Sequence, residues 1–528
     1  MKLDKLWIKN FKNLKDFSVD FDENSFVTVV VGWNGTGKSN LFEALVIIFR
    51  DLDLGTTTKF AYRVEYICHG NRITIDSDPD RPARDRIRRQ IVPLDSHSGK
   101  GNENDKDQYL PAYVFGYYSG PSNRLKEYFI DHQRRYYDAV INVEETDAAS
   151  LRKLKSLRRL FFAENHHSKY VLLSFFIKKD EKILAFLRDY LRIVGLESVL
   201  FVMKKPSWGD SEHLWGARGL VRKFLEKLYD IALAPMHLKQ RIHMGIKKTK
   251  QQEFYYLYVK DIESLTDLAS DYDSPSDFFA NLESTDLSEV IHDVYVKVRI
   301  KNHDGTLTFR ELSEGEQQLL MVLGLLRFTK EKESLILLDE PDTHLNPHWN
   351  VEYLSILKGI VDDEKVISPQ QETRHIIMSS HDPLVIAALE RQQVQILKRD
   401  TADRCYAARP EMHPRGLGFT GILTSDMFGF RSDLDPITLN LLDKKVELTA
   451  KEGTLTPEEA SELNRIDTEL DRIGFLGAFS DPYYTAFVRG WARRKEFERF
   501  KKPFLTEQER KDHAAITDEI LRELDEEA

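Results

Sequence analysis

The chain has 528 residues, is 41% hydrophobic and 31% charged, and carries a net charge of -10. That length allows two or three domains with a sizeable core. The acidic balance excludes a generally basic nucleic-acid coat and leaves room only for a local basic patch.

Two cysteines, Cys68 and Cys405, are too few for a disulfide framework or a cysteine zinc site, and they fit a reducing cytosol. The N-terminus has no signal-peptide apolar block. The longest greasy run, Ala44 to Phe49, lies between Glu43 and Arg50 and is far too short to span a bilayer. A cytoplasmic protein with no membrane insertion is expected.

In chain order, Leu6-Trp7-Ile8 and Phe17-Ser18-Val19-Asp20-Phe21 carry strand-like residues, and Phe26 to Val31 is a continuous β-rich run of the kind a fully buried strand shows. The next residues are Gly32-Trp33-Asn34-Gly35-Thr36-Gly37-Lys38-Ser39, and Lys38 to Arg50 reads as a helix. Strand, Gly-rich loop and helix form the context that confirms a P-loop. Tyr62–Tyr66 and Arg72–Ile75 suggest an antiparallel meander, residues 92–108 a polar loop, and Tyr113–Tyr118 a strand that turns at Gly120.

From about 146 to 240 the apolar spacing becomes helical, with Leu151, Leu154, Leu157, Phe161 and Phe162 on one face and Ile183, Phe186, Leu187 and Leu191 on another. Strand character returns at Phe254–Val259 and Val294–Ile300, followed by a helix over Gln317–Phe328 and strands at Leu335–Leu338 and His375–Ser379. After about 420 the chain is charged and helical. Thr456-Pro457-Glu458-Glu459 and Thr506-Glu507-Gln508-Glu509 are capping boxes, Gly453 ends the helix before the first, and Leu463, Ile466 and Leu470 form one stripe. The expected organisation is a first ATPase half at 1–145, a mainly helical insertion at 146–285, a second ATPase half at 286–420 and a helical C-terminal region at 421–528 that binds a partner.

The chemistry lies in four motifs. Asn34, Gly35, Thr36 and Gly37 let backbone N–H groups close around phosphate, Lys38 places a charge on the β and γ phosphates of ATP, and Ser39 offers an oxygen to Mg²⁺. Asp339 ends a buried strand and is the second Mg²⁺ ligand; Glu340 is the expected general base for the attacking water. Ser313 and Gly315 open a helix and can present donors to a phosphate, although Ser-Glu-Gly-Glu alone would also be a good helix cap. His381 follows a buried strand, where a γ-phosphate sensor would stand. Arg81, Arg84, Arg86, Arg88 and Arg89 form a basic run, but Asp76, Asp78, Asp80 and Asp85 precede or interrupt it, which favours a solvated loop.

These residues resemble the ABC-type ATPases of the SMC, RecF and OLD group over roughly 1–150 and 285–400. Gly-x-Asn-Gly-x-Gly-Lys-Ser is their P-loop form, Leu312-Ser313-Glu314-Gly315-Glu316-Gln317 is similar to their signature motif, and Asp339 to Leu345 is similar to Walker B running into the D-loop. The resemblance implies an α/β ATPase head, a mixed sheet with flanking helices. It also implies a head-to-tail dimer, or a higher homo-oligomer, in which Ser313 of one subunit meets ATP held by Lys38 of the other.

The family's Q-loop glutamine has no counterpart; Tyr117-Tyr118-Ser119-Gly120 stands in that region and is assigned no role. The Tyr-Tyr-Ser-Gly turn, Leu160 to His166, Trp215-Gly216 and Met427-Phe428-Gly429 are similar to the PtuA-type ATPases of Septu and retron-associated anti-phage systems. That similarity implies a separate HNH nuclease partner of PtuB type. No nuclease signature follows residue 400 and no Toprim-like Glu-Gly plus Asp-x-Asp set is present, so a regulatory ATPase with no nuclease site of its own is expected, and Glu340, as hydrolytic machinery, leads to an expectation of slow turnover. The alternative expectation is a DNA-binding repair ATPase of RecF or SMC type.

Overall fold

The computed structural model of the protein describes residues 1–94, 105–120, 124–142, 158–178, 180–210, 213–243, 249–301, 306–329, 333–361, 373–451, 455–473 and 505–527, together with Phe487, Gly490, Trp491, Arg494, Arg499 and Phe500. Leu151, Leu154, Leu157 and Gly453, and residues 95–104 of the expected loop, lie outside these. The chain divides into two compact units. One comprises Met1–Val385 with Gln392–Arg409, the other Ile386–Arg391 with Pro410–Ala528.

The first unit is built on three sheets. β1 (Lys2–Phe11), β2 (Leu14–Asp20), β4 (Tyr62–Cys68), β5 (Asn71–Ser77) and β6 (Ile87–Pro93) form an antiparallel sheet in the order β2-β1-β4-β5-β6. The expected meander is therefore part of a larger sheet, and the end of the arginine run is a strand paired with β5 rather than a loop.

The central sheet has the order β17-β16-β3-β15-β14-β7-β8, built from β3 (Val27–Gly32), β7 (Tyr113–Tyr118), β8 (Leu160–Ala163), β14 (Ser334–Asp339), β15 (Arg374–Ser379), β16 (Val394–Arg399) and β17 (Cys405–Ala408). All its pairings are parallel except β16 with β17. β3, β14 and β15 are buried at every residue, as strands covered on both faces are. Each buried Val, Leu or Ile contributes about 1.5–3 kcal/mol.

The third sheet, β10-β11-β9-β12-β13, corrects the helical reading of the insertion. β9 (Ile193–Lys204), β10 (Met236–His243) and β11 (Thr249–Val259) come from that segment and pair with β12 (Ile291–Ile300) and β13 (Thr306–Thr308). Leu160-Phe161-Phe162-Ala163 likewise is strand β8, parallel to β7. A short, wholly apolar run fits a buried strand as well as a helix, and here the free edge of the parallel sheet decides between them. The helices Glu181–Asp189 and Gly219–Ile231 are present, and the first buries Ile183, Phe186 and Leu187.

The helix Glu314–Phe328 packs on the helix His167–Ile177 at very short range, because Gly324 has no side chain. A Cβ there would sit 2.3 Å and 2.6 Å from the two methyls of Val171.

The second unit, taken by itself, is helical. The helices Pro436–Thr449, Pro457–Arg472 and Glu507–Glu527 dominate it. Thr456 and Glu459 form the expected capping box, and Thr506 and Glu509 exchange the same pair of hydrogen bonds. Ile466 and Leu470 are buried on one face. Both cysteines belong to the first unit and are buried.

Gly324→Ala is expected to cost about 1–3 kcal/mol in urea unfolding, because the added methyl overpacks the helix pair. Val171→Ala in the same chain should restore most of that loss, since the two positions share one contact. An equal loss in both backgrounds would mean that the helices do not meet through this pair.

Candidate functional site

The C-terminal ends of β3, β14 and β15 carry the candidate residues to one edge of the central sheet. β3 runs into the loop Trp33–Gly37, where Gly35 (φ +83°) and Gly37 (φ +104°) hold left-handed backbone that other residues resist. The turn between β1 and β2 braces this loop: Asn13 Nδ2 donates to the Gly35 carbonyl at 3.1 Å, and a Cβ at Gly37 would lie 2.9 Å from the Asn13 amide. Thr36 Oγ1 donates to the Trp33 carbonyl at 2.8 Å. Asn34 and Gly35 are exposed, while Thr36 and Gly37 are buried.

Lys38 opens the helix Lys38–Leu54 and folds back, so that Nζ donates to the Gly32 carbonyl at 2.7 Å. Burial lowers its amine to about 8, and the Glu340 and Asp339 carboxylates oppose that shift. Ser39 hydrogen-bonds Asp339.

Asp339 and Glu340 are held by a single hydroxyl. Ser379 Oγ donates to Asp339 Oδ1 at 2.6 Å and accepts from the Glu340 N–H at 2.9 Å. The parallel register that pairs Asp339 with Ser379 sets this bridge. Asp339 is buried, and desolvation raises its carboxyl above the usual range against the hydrogen bonds from Ser379 and Ser39.

Glu340 has φ +56°, a left-handed conformation that is costly for a residue with a long side chain and that concentrates at functional turns. Its Oε1 lies 3.1 Å from His381 Nε2, and that hydrogen bond holds the carboxyl below its ordinary value. The structure thus gathers Lys38, Ser39, Asp339, Glu340 and His381 in one place.

Ser313 and Gly315 stand apart from that cluster in their hydrogen bonding. Ser313 is the exposed N-cap of the helix Glu314–Phe328 and forms a full capping box with Glu316, with Oγ accepting from the Glu316 N–H at 3.2 Å. Gly315 is needed for space, because a Cβ there would be 2.3 Å from the His344 carbonyl oxygen. Gln318 donates to the Pro341 carbonyl and His344 Nδ1 faces Glu314 at 3.5 Å, so the segment following Glu340 rests on the start of this helix. Ser313 also lines a cleft of about 1030 Å³ with Arg192, His344, His348 and Trp349.

Several residues were not anticipated. Arg124 binds two residues of the P-loop helix, with Nε donating to Glu43 at 2.6 Å and a terminal nitrogen donating to Asn40 Oδ1 at 2.7 Å. Its charge also favours the ionised form of Asp339. Glu43 is fully buried and also receives Lys12 and Tyr128. A glutamate within the apolar stretch of the helix was the available signal for this network. Ser119, in the Tyr-Tyr-Ser-Gly turn, donates its N–H to the Asp339 carbonyl at 3.2 Å, which puts that turn directly beside the carboxylates. Cys405 donates its thiol to the Thr36 carbonyl at 2.6 Å beneath the loop.

Residues 1–192 match the family model described as "AAA ATPase domain". Residues 205–387 match an "AAA domain" model whose description also names the AbiEii toxin of a type IV TA system. This is a P-loop ATPase fold. Septu protein PtuA from Bacillus mycoides is 24% identical over 206 residues, covering 37% of this chain and 27% of that protein. The DNA replication and repair protein RecF from Lactobacillus acidophilus is 48% identical over 48 residues, 9% of this chain and 12% of that protein. The matched stretch is thus about a quarter of the length of PtuA, and these domains carry ATP hydrolysis in general. Among the described residues, no helix is long and apolar enough to cross a membrane.

The buried amine gives a pH prediction for the nucleotide-free protein. At pH 7 Lys38 is protonated in both folded and unfolded chains, and the fold bears a burial cost on the order of 3 kcal/mol for a shift from 10.5 to about 8. Between pH 8 and 10.5 the folded chain releases this proton before the unfolded chain does, so this contribution to stability rises with pH. Lys38→Met should raise urea stability at pH 7 and remove that rise. A wild-type profile that the substitution leaves unchanged would contradict the assignment.

Proposed function

We propose that the chain is the ATP-binding and ATP-hydrolysing regulatory subunit of a prokaryotic anti-phage defence complex, and that it controls a separate effector nuclease of HNH type through an ATP-dependent head-to-tail dimer. The observation that carries the ATPase part is the bridge from Ser379 to Asp339 and Glu340, with His381 on the second carboxylate and Ser39 on the first.

Lys38 and the loop Asn34–Gly37 bind the ATP phosphates. Ser39 and Asp339 are two hard oxygen donors in contact and would hold Mg²⁺, which would neutralise phosphate charge. Glu340, kept ionised by His381, orients the attacking water and accepts its proton; His381 senses the γ-phosphate. Ser313 and Gly315, exposed and buried respectively at a helix start outside this cluster, serve the nucleotide of the opposite subunit, which is why a dimer is required. The similarity to Septu PtuA supports the defence setting. The region 421–528 is the proposed dock for the nuclease; Phe430, Ile437 and Ile473 within it are exposed large apolar residues available to such a partner.

The repair-ATPase alternative draws little support from the arginine run. Arg81 is paired with Asp76 and Asp78, Arg84 lies 3.6 Å from Asp85, and Arg89 stacks over Tyr109 at 5.2 Å.

Lys38→Ala is expected to abolish ATP binding. Glu340→Gln should bind ATP without hydrolysing it and elute as a stable dimer in gel filtration with light scattering. Ser313→Arg should bind ATP and remain monomeric; a Ser313→Arg chain that dimerised normally with ATP would defeat the composite site.

ATP affinity should also fall as pH rises through about 8, where Lys38 loses its proton in the free protein. Isothermal titration of Lys38-containing protein at pH 7 and 9 checks this, and an affinity that is flat or rises would count against Lys38 as the phosphate ligand. Purification of the tagged chain from its native operon, with and without ATP, tests the partner. A stoichiometric HNH nuclease supports the reading, and co-purifying DNA with no protein partner would replace it with the repair alternative.

A further inference from the structure

The turn between β4 and β5 gathers three metal-ligating side chains that the ATPase chemistry does not use. Cys68, His69 and Glu333 bring their donor atoms within 4.8 Å of one another. Cys68 is buried at the end of β4, His69 is exposed in the turn, and Glu333 is half-buried just ahead of β14. A single cysteine excludes a zinc site built of thiolates but not one of mixed donors.

Hydrogen bonds orient these donors. His69 Nε2 donates to the Leu110 carbonyl at 2.9 Å, which puts the ring proton on Nε2 and leaves the Nδ1 lone pair for a ligand. Metal-binding histidines are commonly held this way, by an acceptor on the other ring nitrogen. The Glu333 carbonyl accepts from the Tyr113 N–H at 3.2 Å, and its Oε1 accepts from the His69 N–H at 3.0 Å. The Cys68 thiol hydrogen-bonds the same carboxylate, and the Met1 ammonium donates to Oε2. A carboxylate offers about four lone-pair sites, so a metal can share it with these donors.

The plain alternative is a capped hairpin, in which Glu333 accepts the turn N–H and nothing more. That accounts for the backbone but not for a thiol and an imidazole converging on one carboxylate. His69 has φ +50° and Gly70 φ +71°, a turn whose first position favours Asn, Asp or Gly, so the turn itself does not call for an imidazole. A second cluster, His166, His167 and Asp286, lacks the same preparation. His167 Nδ1 accepts from the Glu164 N–H at 3.0 Å, which leaves the proton on Nε2, and His166 Nε2 is engaged by Asp286 at 2.9 Å.

We propose that Cys68, His69 and Glu333 form a mixed-ligand zinc site, with a fourth position open to water, that clips the β4–β5 turn to the start of β14. Zinc accepts sulfur, imidazole nitrogen and carboxylate oxygen alike, whereas magnesium and calcium avoid thiolate. Donor atoms around tetrahedral zinc lie about 3.5 Å apart, given bonds of about 2.0–2.3 Å, so small rotations of the exposed His69 and half-buried Glu333 side chains close the site. Binding releases the Cys68 proton to solvent. The proposal does not depend on the ATPase reading.

The test is zinc binding by the full chain without a histidine tag, with metal content read by plasma mass spectrometry. About one zinc per chain is expected. Loss of even an outer-shell partner costs about 10–100-fold in metal affinity, so Cys68→Ser and His69→Asn should each lower zinc affinity at least about 100-fold. Asparagine suits a left-handed turn, so His69→Asn should melt like wild type when both are in EDTA. Cobalt(II) added to the stripped wild type should give a thiolate-to-metal charge-transfer band that Cys68→Ser lacks. Asp339→Asn should keep the zinc, which separates this site from the Mg²⁺ position. No cobalt band in the wild type, or equal zinc affinity in the wild type and both variants, would overturn the proposal.

Discussion

Everything in the candidate site depends on the parallel pairing of β3, β15, β14 and β7. Parallel strands all end on the same side, so four separate loops open at one sheet edge. The register fixes which residues meet there. Asp339 pairs with Ser379 on one side and with Tyr118 on the other. A slip of one residue would turn alternate side chains to the opposite face and separate the carboxylate from its serine. The buried β3, β14 and β15 specify that register through their apolar packing. The antiparallel sheet contributes at a distance, through the short turn that carries Asn13 to the loop.

The edge is costly as well as ordered. Glu340 is in left-handed backbone, Lys38 is charged in a buried position, and Asp339 is desolvated. Just beyond, Asp342 is pushed up to about 6 by burial, with Ser380 donating to it. Such a concentration of strain and displaced pKa values marks a functional site more firmly than any one of these residues would. The Ser379 hydroxyl keeps it coherent, since it satisfies a buried acceptor and a turn N–H together.

Much of this was legible in the primary structure, for a physical reason. Phosphate chemistry uses short contiguous motifs, so the P-loop, the Asp339-Glu340 pair and the Ser379–His381 segment could be recognised along the chain, and the structure places Lys38, Ser39, Asp339, Glu340 and His381 together. The strands around them also showed, because fully buried parallel strands are unbroken apolar runs. Arg124 and Ser379 were not assigned roles, since their partners are distant in sequence: Glu43 for Arg124, Asp339 and Glu340 for Ser379. Leu160–Ala163 was read as helix because four apolar residues carry no period. Ile193–Lys204 and Met236–His243 were missed because their pairing partners, β11 and β12, come later in the chain.

The two cysteines have a practical consequence for watching this molecule work. Cys68 and Cys405 are both buried, and burial raises their thiols, that of Cys405 to about 11, so neither offers a thiolate to a labelling reagent at neutral pH. The natural chain is in effect a thiol-silent background. One cysteine introduced on an exposed strand or helix face would then be the sole reactive handle, and a single fluorophore or spin label could report changes at that face without first replacing either native sulfur.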